Sequence, residues 1–270
     1  MGLLMAVGLA HCGGRRAAPV TIKGSDTMVI LGQRWAEGYM AAHPGAVIQV
    51  TGGGSGTGIA ALINGTTDIC QSSRPMKDDE KQQLNAKYGQ PPQEIMVAKD
   101  GLAVYVQEQN PVRELTIQQI KDIYTGAVTN WKAVGGADVP ITAYGRENNS
   151  GTYVYFKEHV LNDADFAAAI QTLPGTAAVV NAVAQDPNGI GYGGAAYAKG
   201  VREVGIKSDA AGAAVLPTAE NVKSGAYPIS RGLFYYMRQA PTGAVKEFID
   251  YVLSAEGQKV VTEVGYFPIQ

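Results

Sequence analysis

Short apolar runs alternate with longer amphipathic stretches from Val20 to the end of the chain. Short apolar runs bounded by glycine or polar residues are typical of strands, whereas apolar positions that recur at helical spacing are typical of helices. A regular alternation of the two elements indicates an α/β protein rather than a helical bundle or a β-sandwich. We therefore predict an α/β fold in which mixed sheets are flanked by helices.

The elements predicted from this pattern cover most of the chain. The predicted strands are residues 20–23, 47–51, 67–70, 94–99, 102–106, 141–144, 189–192, 204–207 and 233–237. The predicted helices are residues 28–42, 59–64, 77–88, 116–124, 153–161, 179–185, 244–253 and 256–263. The sequence contains neither an internal repeat nor a low-complexity linker, so any join between domains must consist of strands.

Four turns share one design, in which a predicted strand ends in a cluster of glycine and hydroxyl residues. At least three of these turns open a helix, whose N-terminus offers unpaired backbone N–H groups and a partial positive charge. One such turn by itself is typical of an ordinary helix cap. Together, at the C-terminal ends of strands, the four indicate a shared anion site. The clusters are Ser25/Thr27, Ser55/Thr57, Ser72-Ser73-Arg74 and Ser150-Gly151-Thr152.

Two arginines lie in or beside these clusters. Arg146 precedes the last cluster on the same loop, and its planar guanidinium can donate two parallel hydrogen bonds to an oxyanion. The alternative for Arg146 is a surface residue paired with Glu147. Arg74 either contacts the anion or pairs with Asp78 or Asp79.

Composition and charge narrow the classes of function. The net charge of −2 argues against broad attraction to nucleic acid, so an anion must be held by a local site. The chain has only three histidines, His11, His43 and His159, and none has the context of a catalytic triad. The glycine turns lack the phosphate-loop lysine, and no group of residues has metal-ligand spacing. We therefore expect no catalytic residue, no metal and no cofactor.

Residues 1–19 are interpreted separately from the fold. They are short, apolar and end in small residues, like the remains of a secretory signal. Leu9-Ala10-His11-Cys12 resembles a bacterial lipoprotein cleavage box, although His11 departs from the small residue of that box. The segment is either lipidated at Cys12, or a plain exported segment or disordered tail. We expect the protein in the periplasm or on the outer face of the membrane.

Five motifs follow one another in the order of a known family. They are Lys23-Gly24-Ser25-Asp26-Thr27-Met28, Gly53-Gly54-Ser55-Gly56-Thr57-Gly58, Asp68 through Ser72-Ser73-Arg74, Asn130-Trp131-Lys132-Ala133-Val134-Gly135-Gly136 and Arg146-Glu147-Asn148-Asn149-Ser150-Gly151-Thr152. In these motifs the sequence resembles the phosphate-binding protein of the bacterial ABC phosphate transporter, in its shorter form. The resemblance covers almost the whole chain after residue 20.

The resemblance implies a two-lobed periplasmic-binding-protein fold that closes on phosphate between the lobes. Lobe 1 would comprise residues 20–100 and 232–270, and lobe 2 residues 101–231, with hinge strands near 99–103 and 228–234. The implied protein is a monomer that binds inorganic phosphate, delivers it to the permease subunits of an ABC transporter and binds no nucleic acid. The implied ligand residues are Ser25, Asp26, Thr27, Ser55, Ser73, Arg74, Arg146, Ser150, Gly151 and Thr152.

Two departures from the longer family members bear on selectivity. Asn148 and Ser73 each stand where those members carry an aspartate, and the aspartate at Ser73 would accept the proton of hydrogen phosphate. Asp26 is the only carboxylate within the clusters that could replace it, unless it only caps its own turn. Receptors for sulfate, molybdate or tungstate therefore stay open as alternatives, as do a phosphate-ester hydrolase and a signalling or adhesion domain.

Overall fold

The computed structural model describes residues 18–269 as a mixed α/β protein. The strands of this part of the chain are β1 (Val20–Gly24), β2 (Ile48–Thr51), β3 (Ile69–Ser72), β4 (Gln93–Val106), β5 (Glu114–Thr116), β6 (Thr142–Arg146), β7 (Gln171–Leu173), β8 (Gly189–Gly194), β9 (Arg202–Glu203), β10 (Gly205–Lys207) and β11 (Ser230–Met237). The α-helices are α1 (Val29–Ala42), α2 (Ser55–Asn64), α3 (Asp78–Tyr88), α4 (Ile117–Tyr124), α5 (Gly151–His159), α6 (Gly175–Gln185), α7 (Ala219–Ser224), α8 (Gly243–Leu253) and α9 (Ala255–Val264).

The main sheet has the order β2-β1-β3-β11-β4-β8-β6-β7 and divides at β4. Strand β4 pairs antiparallel with β11 as far as Gly101 and antiparallel with β8 from Leu102 onward. We call the part on the β11 side lobe 1 and the part on the β8 side lobe 2. Within each lobe, strands joined through a helix run parallel, as in β1 with β3 and β6 with β8.

Each lobe has its own apolar core, and each core contains one buried tryptophan. Trp35 of α1 lies in lobe 1 and donates from Nε1 to the Gly257 carbonyl at 2.7 Å. Trp131 lies in lobe 2 and donates from Nε1 to the Asn188 carbonyl at 3.0 Å. Apolar burial together with a satisfied indole N–H stabilises both positions.

Helix α5 is anchored to the lobe 2 sheet by aromatic packing. The ring of Phe156 stacks on Tyr192 of β8 with 3.8 Å between centroids, and both side chains are fully buried. Tyr124 of α4 contacts both rings edge-on. This packing fixes the helix whose first turn carries the Ser150-Gly151-Thr152 cluster.

The structure confirms the α/β fold class, moves several strand boundaries by two or three residues and joins two predicted strands. The predicted strands 94–99 and 102–106 are one continuous strand, β4. The polar residues between them do not form a turn, because Asp100 is buried and pairs with Arg231 on β11. Gly101 continues the strand, and a Cβ added there would lie 2.6 Å from the Pro217 Cβ.

Helix starts and short elements also differ from the sequence-based expectation. Helices α2 and α5 begin at Ser55 and Gly151, so the hydroxyl turns themselves form the first helical residues. The pattern missed β5, β7 and α7, which are too short to show a periodicity. Within residues 18–269, no helix is both long and apolar enough to cross a membrane. The predicted lipidation of Cys12 falls outside the described residues.

Candidate functional site

The hydroxyl clusters predicted from the sequence meet where the two lobes face each other. Strands β1, β3 and β6 end beside this region, and helices α2 and α5 begin there. Six of the eight hydroxyl residues in the clusters meet here, and each is at most 2% exposed. These residues are Ser25, Thr27, Ser55, Ser73, Ser150 and Thr152. Such burial of hydroxyl groups is favourable only where each finds a hydrogen-bonding partner.

Three serines of lobe 1 form one hydrogen-bonded group. The hydroxyl of Ser25 donates to Ser73 Oγ at 2.9 Å, and the backbone N–H of Ser73 donates to Ser55 Oγ at 3.1 Å. The Ser55 and Ser73 hydroxyls are 3.4 Å apart. The group joins the ends of β1 and β3 to the first turn of α2.

The second lobe meets this group through the start of α5. Thr152 Oγ1 lies 2.9 Å from Thr27 Oγ1, so a hydrogen bond crosses between the lobes. A Cβ added at Gly151 would lie 2.3 Å from Ser55 Oγ and 2.8 Å from Ser73 Oγ. Only glycine therefore permits this approach.

Ser150 caps α5. Its Oγ accepts from the backbone N–H of Thr152 at 3.2 Å and of Tyr153 at 3.4 Å. Its hydroxyl therefore satisfies N–H groups of the first helical turn and fixes the orientation of that turn.

Arg146, at the end of β6, is buried in the same region. Its Nη1 donates to Thr176 Oγ1 at 2.7 Å, and its Nη2 donates to Asp26 Oδ2 of lobe 1 at 2.9 Å. Burial lowers the pKa of Arg146, and the negative charge of Asp26 acts against that shift. The alternative of a surface arginine paired with Glu147 is wrong, because the Arg146 side chain is 1% exposed and paired with Asp26.

Both carboxylate oxygens of Asp26 accept hydrogen bonds, one within lobe 1 and one across the cleft. Oδ1 accepts from the Gly53 N–H at 2.7 Å, and Oδ2 accepts from Arg146. Neither oxygen accepts from its own short helical turn, so the alternative that Asp26 caps that turn is wrong. A Cβ added at Gly52 would lie 2.4 Å from Asp26 Oδ1, which explains the glycine there.

Two tyrosine hydroxyls hold the backbone of the first turn. Tyr197 donates to the Asp26 carbonyl at 2.8 Å, and Tyr266 donates to the Thr27 carbonyl at 2.5 Å. Burial raises the pKa of Tyr197 to about 12, so its hydroxyl remains a proton donor. The hydrogen bonds orient the turn between β1 and α1.

Arg74 pairs with neither of the acidic residues expected from the sequence, Asp78 and Asp79. Its Nη1 and Nη2 donate to the two carboxylate oxygens of Glu80 at 2.8 Å and 2.7 Å. Glu80 also accepts from the Lys77 N–H at the start of α3. Arg74 therefore fixes the start of α3, and its terminal nitrogens are directed at Glu80.

Two residues at the site were missed by the sequence analysis. Thr176 follows a proline and a glycine at the start of α6, a pattern that a search for a further helix start would have found. Asn149 donates from Nδ2 to the Gly53 carbonyl at 3.0 Å and to Thr57 Oγ1 at 3.2 Å. No local sequence signal points to Asn149, because both of its partners are on the other lobe.

The arrangement suits binding of a small oxyanion. Neutral hydroxyl groups, helix N-termini and one guanidinium are the donors that such a ligand requires. The two histidines in the described part of the chain are engaged elsewhere. His43 Nδ1 lies 2.9 Å from the Tyr39 carbonyl, and His159 Nδ1 lies 3.1 Å from the Tyr155 carbonyl.

Comparison with known proteins connects this site to a family. The family described as PBP superfamily domain matches residues 11–256. The phosphate-binding protein PstS of Pseudomonas aeruginosa is 38% identical over 263 residues, which cover 91% of this chain and 81% of that protein. PstS of Bacillus subtilis is 35% identical over 256 residues, which cover 94% and 82% of the respective chains.

Solved structures show the same similarity. A putative phosphate ABC transporter substrate-binding protein from Clostridium perfringens, with bound phosphate, superposes with a TM-score of 0.85. It is 33% identical in sequence, and the match covers 94% of this chain and all of that one. An ABC-type phosphate transport receptor from Vibrio cholerae is 29% identical with a TM-score of 0.74, over 92% and 99% of the respective chains. The two-lobed architecture of the chain is thus shared with these receptors.

Proposed function

The chain belongs to the PstS phosphate-binding proteins of the PBP superfamily, and from this membership we propose that it binds inorganic phosphate with high affinity and delivers it to an ABC transporter permease. The observation that carries the proposal is the position of Arg146. Its guanidinium is buried between the lobes, where it donates to Thr176 of lobe 2 and to Asp26 of lobe 1. Phosphate is the ligand named for the similar receptors, so we place it ahead of sulfate, molybdate and tungstate.

The proposed ligand contacts come from both lobes. In lobe 1 they are the turn at Ser25, Asp26 and Thr27 together with Ser55 and Ser73. In lobe 2 they are Arg146, Ser150, Gly151 and Thr152. Burying an anion is tolerable when nearly every lone pair meets a donor, and this set supplies hydroxyl and backbone N–H groups in number. Arg74 ranks below the others, because Glu80 already occupies both of its terminal nitrogens.

Closure in the proposed mechanism is a rotation of the lobes about their shared strands. The lobes would be residues 20–100 with 232–270, and residues 101–231. The hinge would lie near 99–103 and 228–234, which includes the point where β4 changes its partner from β11 to β8. Phosphate docks on one lobe, and closure brings the donors of the other lobe onto its remaining oxygens.

The proposed role is transport rather than catalysis, and the proposed location of the protein is outside the cytoplasmic membrane. The similar receptors act with ABC transporters, which supports permease subunits as the macromolecular partner. A location in the periplasm or on the outer face of the cell membrane, with or without a lipid at Cys12, fits such a partner. A monomer suffices, because both halves of the proposed site belong to one chain.

Titration calorimetry with phosphate, sulfate and molybdate tests the proposal. We expect tight binding of phosphate and far weaker binding of the other two anions. Strong sulfate binding, or no binding of phosphate, would overturn it. A parallel assay with a phosphomonoester tests the hydrolase alternative, and turnover that disappears in Ser55→Ala would support that alternative.

A further inference from the structure

A second set of contacts joins the lobes at the mouth of the cleft, separate from the buried hydroxyl groups. The loop before α5 lies against residues 53–57 of lobe 1. Each hydrogen bond between the loop and these residues involves Asn149. Asn149 Nδ2 donates to the Gly53 carbonyl and to Thr57 Oγ1, and the Gly56 N–H donates to the Asn149 carbonyl at 2.9 Å.

These contacts leave the buried donors untouched. Asn149 is exposed, whereas Ser55 and Gly151 are buried. The Asn149 carbonyl accepts a hydrogen bond from the Gly56 N–H at the start of α2. This N–H is therefore not directed at a ligand. A side chain at Gly54 would prevent the approach, since a Cβ added there would lie 2.7 Å from the Asn149 carbonyl oxygen.

The position of Asn149 in the chain connects these contacts to the site. Asn149 immediately precedes the cap residue of α5 and lies two residues before Gly151. Hydrogen bonds at Asn149 therefore restrict how Gly151 approaches Ser55. Each of its partners is on the opposite lobe, so every one of these bonds breaks when the lobes separate.

We propose that Asn149 is a positioning residue that latches the closed lobes without touching the ligand. The inference rests on the proposed function, because it assigns a role in ligand retention. The latch acts after the ligand has docked, so it slows ligand release and leaves the rate of docking unchanged.

The test compares the full chain with Asn149→Ala, which deletes the two side-chain bonds and keeps the backbone bond to Gly56. Release is measured by chasing radiolabelled phosphate with unlabelled phosphate, and association by rapid mixing. We expect release to become roughly five- to tenfold faster, because two partly exposed hydrogen bonds are lost, and the association rate to stay the same. Asn85→Ala, on the exposed face of α3, is the control and should match the wild type.

A double-variant cycle separates the latch from a general loss of structure. Thr57→Val removes one acceptor of the Asn149 amide and keeps the shape of the side chain. If the latch is real, Thr57→Val accelerates release less in the Asn149→Ala background than in the wild type. The unfolding temperature without phosphate should be unchanged in Asn149→Ala, because the latch holds only closed lobes.

The outcomes are distinct. Release at the wild-type rate in Asn149→Ala, or an equal change in association and release, would overturn the latch while leaving phosphate binding intact. A wild-type protein that binds no phosphate would instead overturn the proposed function. In that case small-angle scattering identifies which of sulfate, molybdate or tungstate closes the lobes. The release rates of that anion from wild type and Asn149→Ala are then compared, and equal rates would overturn the latch.

Discussion

Arg146 of lobe 2 and Asp26 of lobe 1 form an ion pair across the cleft, with 2.9 Å between Nη2 and Oδ2. The Asp26 side chain is 20% exposed, whereas that of Arg146 is 1% exposed. The guanidinium is thus held by the opposite lobe at one end and by Thr176 of its own lobe at the other. The pair makes Asp26 the counter-ion of Arg146. Its carboxylate therefore already has a cationic partner within the protein.

Asp26→Asn tests whether this carboxylate also accepts the proton of the ligand. Both of its oxygens already accept hydrogen bonds from the protein, so we expect the substitution to change phosphate and sulfate affinities by a similar factor. Calorimetry with both anions gives the ratio of affinities, which should stay within about threefold of wild type. A ratio that shifts toward sulfate by tenfold or more, about 1.4 kcal/mol, would instead identify Asp26 as the proton acceptor.

Arg146→Ala removes the guanidinium that connects Thr176 of lobe 2 with Asp26 of lobe 1. We expect phosphate binding to weaken by about 2–5 kcal/mol, the cost of breaking one side of a buried charged pair. Titration calorimetry measures the effect. The matched control is Arg34→Ala, since Arg34 is an exposed arginine of lobe 1 paired only with Glu37 at 3.5 Å. An unchanged dissociation constant in Arg146→Ala would remove the residue from the site.

Gly151→Ala should prevent closure while leaving both lobes folded. The added methyl would lie 2.3 Å from Ser55 Oγ, far inside contact distance, so the lobes must stay further apart. We expect at least a hundredfold loss of phosphate affinity, corresponding to about 2.7 kcal/mol, and a larger radius of gyration in phosphate by small-angle scattering.

The control for this substitution is Gly212→Ala. Gly212 has an ordinary φ, and the nearest atom to a Cβ added there is 3.5 Å away, which is an ordinary contact. Wild-type affinity in Gly151→Ala would show that Ser55 and α5 do not close together as the structure has them.

Glu203 makes the stability of the protein depend on pH. Burial, together with repulsion from Asp100, raises the pKa of Glu203 from 4.5 to about 7. Between pH 4.5 and 7 the folded protein retains a proton that the unfolded chain releases, so this group lowers stability as pH rises through that window. Above pH 7 the loss is complete, whereas below 4.5 it is absent.

Glu203→Gln mimics the protonated side chain and should remove this dependence. At pH 8 we expect the free energy of unfolding of the variant to exceed that of wild type by about 1–2 kcal/mol, because solvent screening reduces the effect of the charge. At about pH 4 the two proteins should differ little in stability. Urea unfolding at the two pH values measures it. Glu37→Gln, at an exposed position, should show no such difference between the two pH values. An equal advantage of Glu203→Gln at both would exclude titration as the cause.

Local chemistry explains which parts of the molecule could be predicted from the sequence. The hydroxyl turns at Ser25, Ser55 and Ser150 could be recognised because several of them recur at the C-terminal ends of strands, where an α/β fold binds its ligands. The order of strands and helices could also be predicted, because the spacing of apolar residues is a local pattern. These features depend on neighbours in the chain, so the sequence carries their signal directly.

Contacts between distant segments could not be predicted in this way. The partner of Arg146 is 120 residues away, and the partners of Asn149 are more than 90 residues away. The pairing of Asp100 is another such contact, because its partner, Arg231, is 131 residues along the chain. Charge pairing over such separations requires the sheet topology, which periodicity does not supply.

The passage of β4 through both lobes has a consequence for resistance to proteolysis. Proteases cleave most readily at exposed, flexible segments that can enter their active sites in extended form. Residues 100–106 are instead buried, and each is paired with β11 or β8. Tyr105 and Val106 also pair with β9 on the other edge. The proposed movement of the lobes would therefore bend a buried, paired strand, which a protease cannot readily bind in extended form.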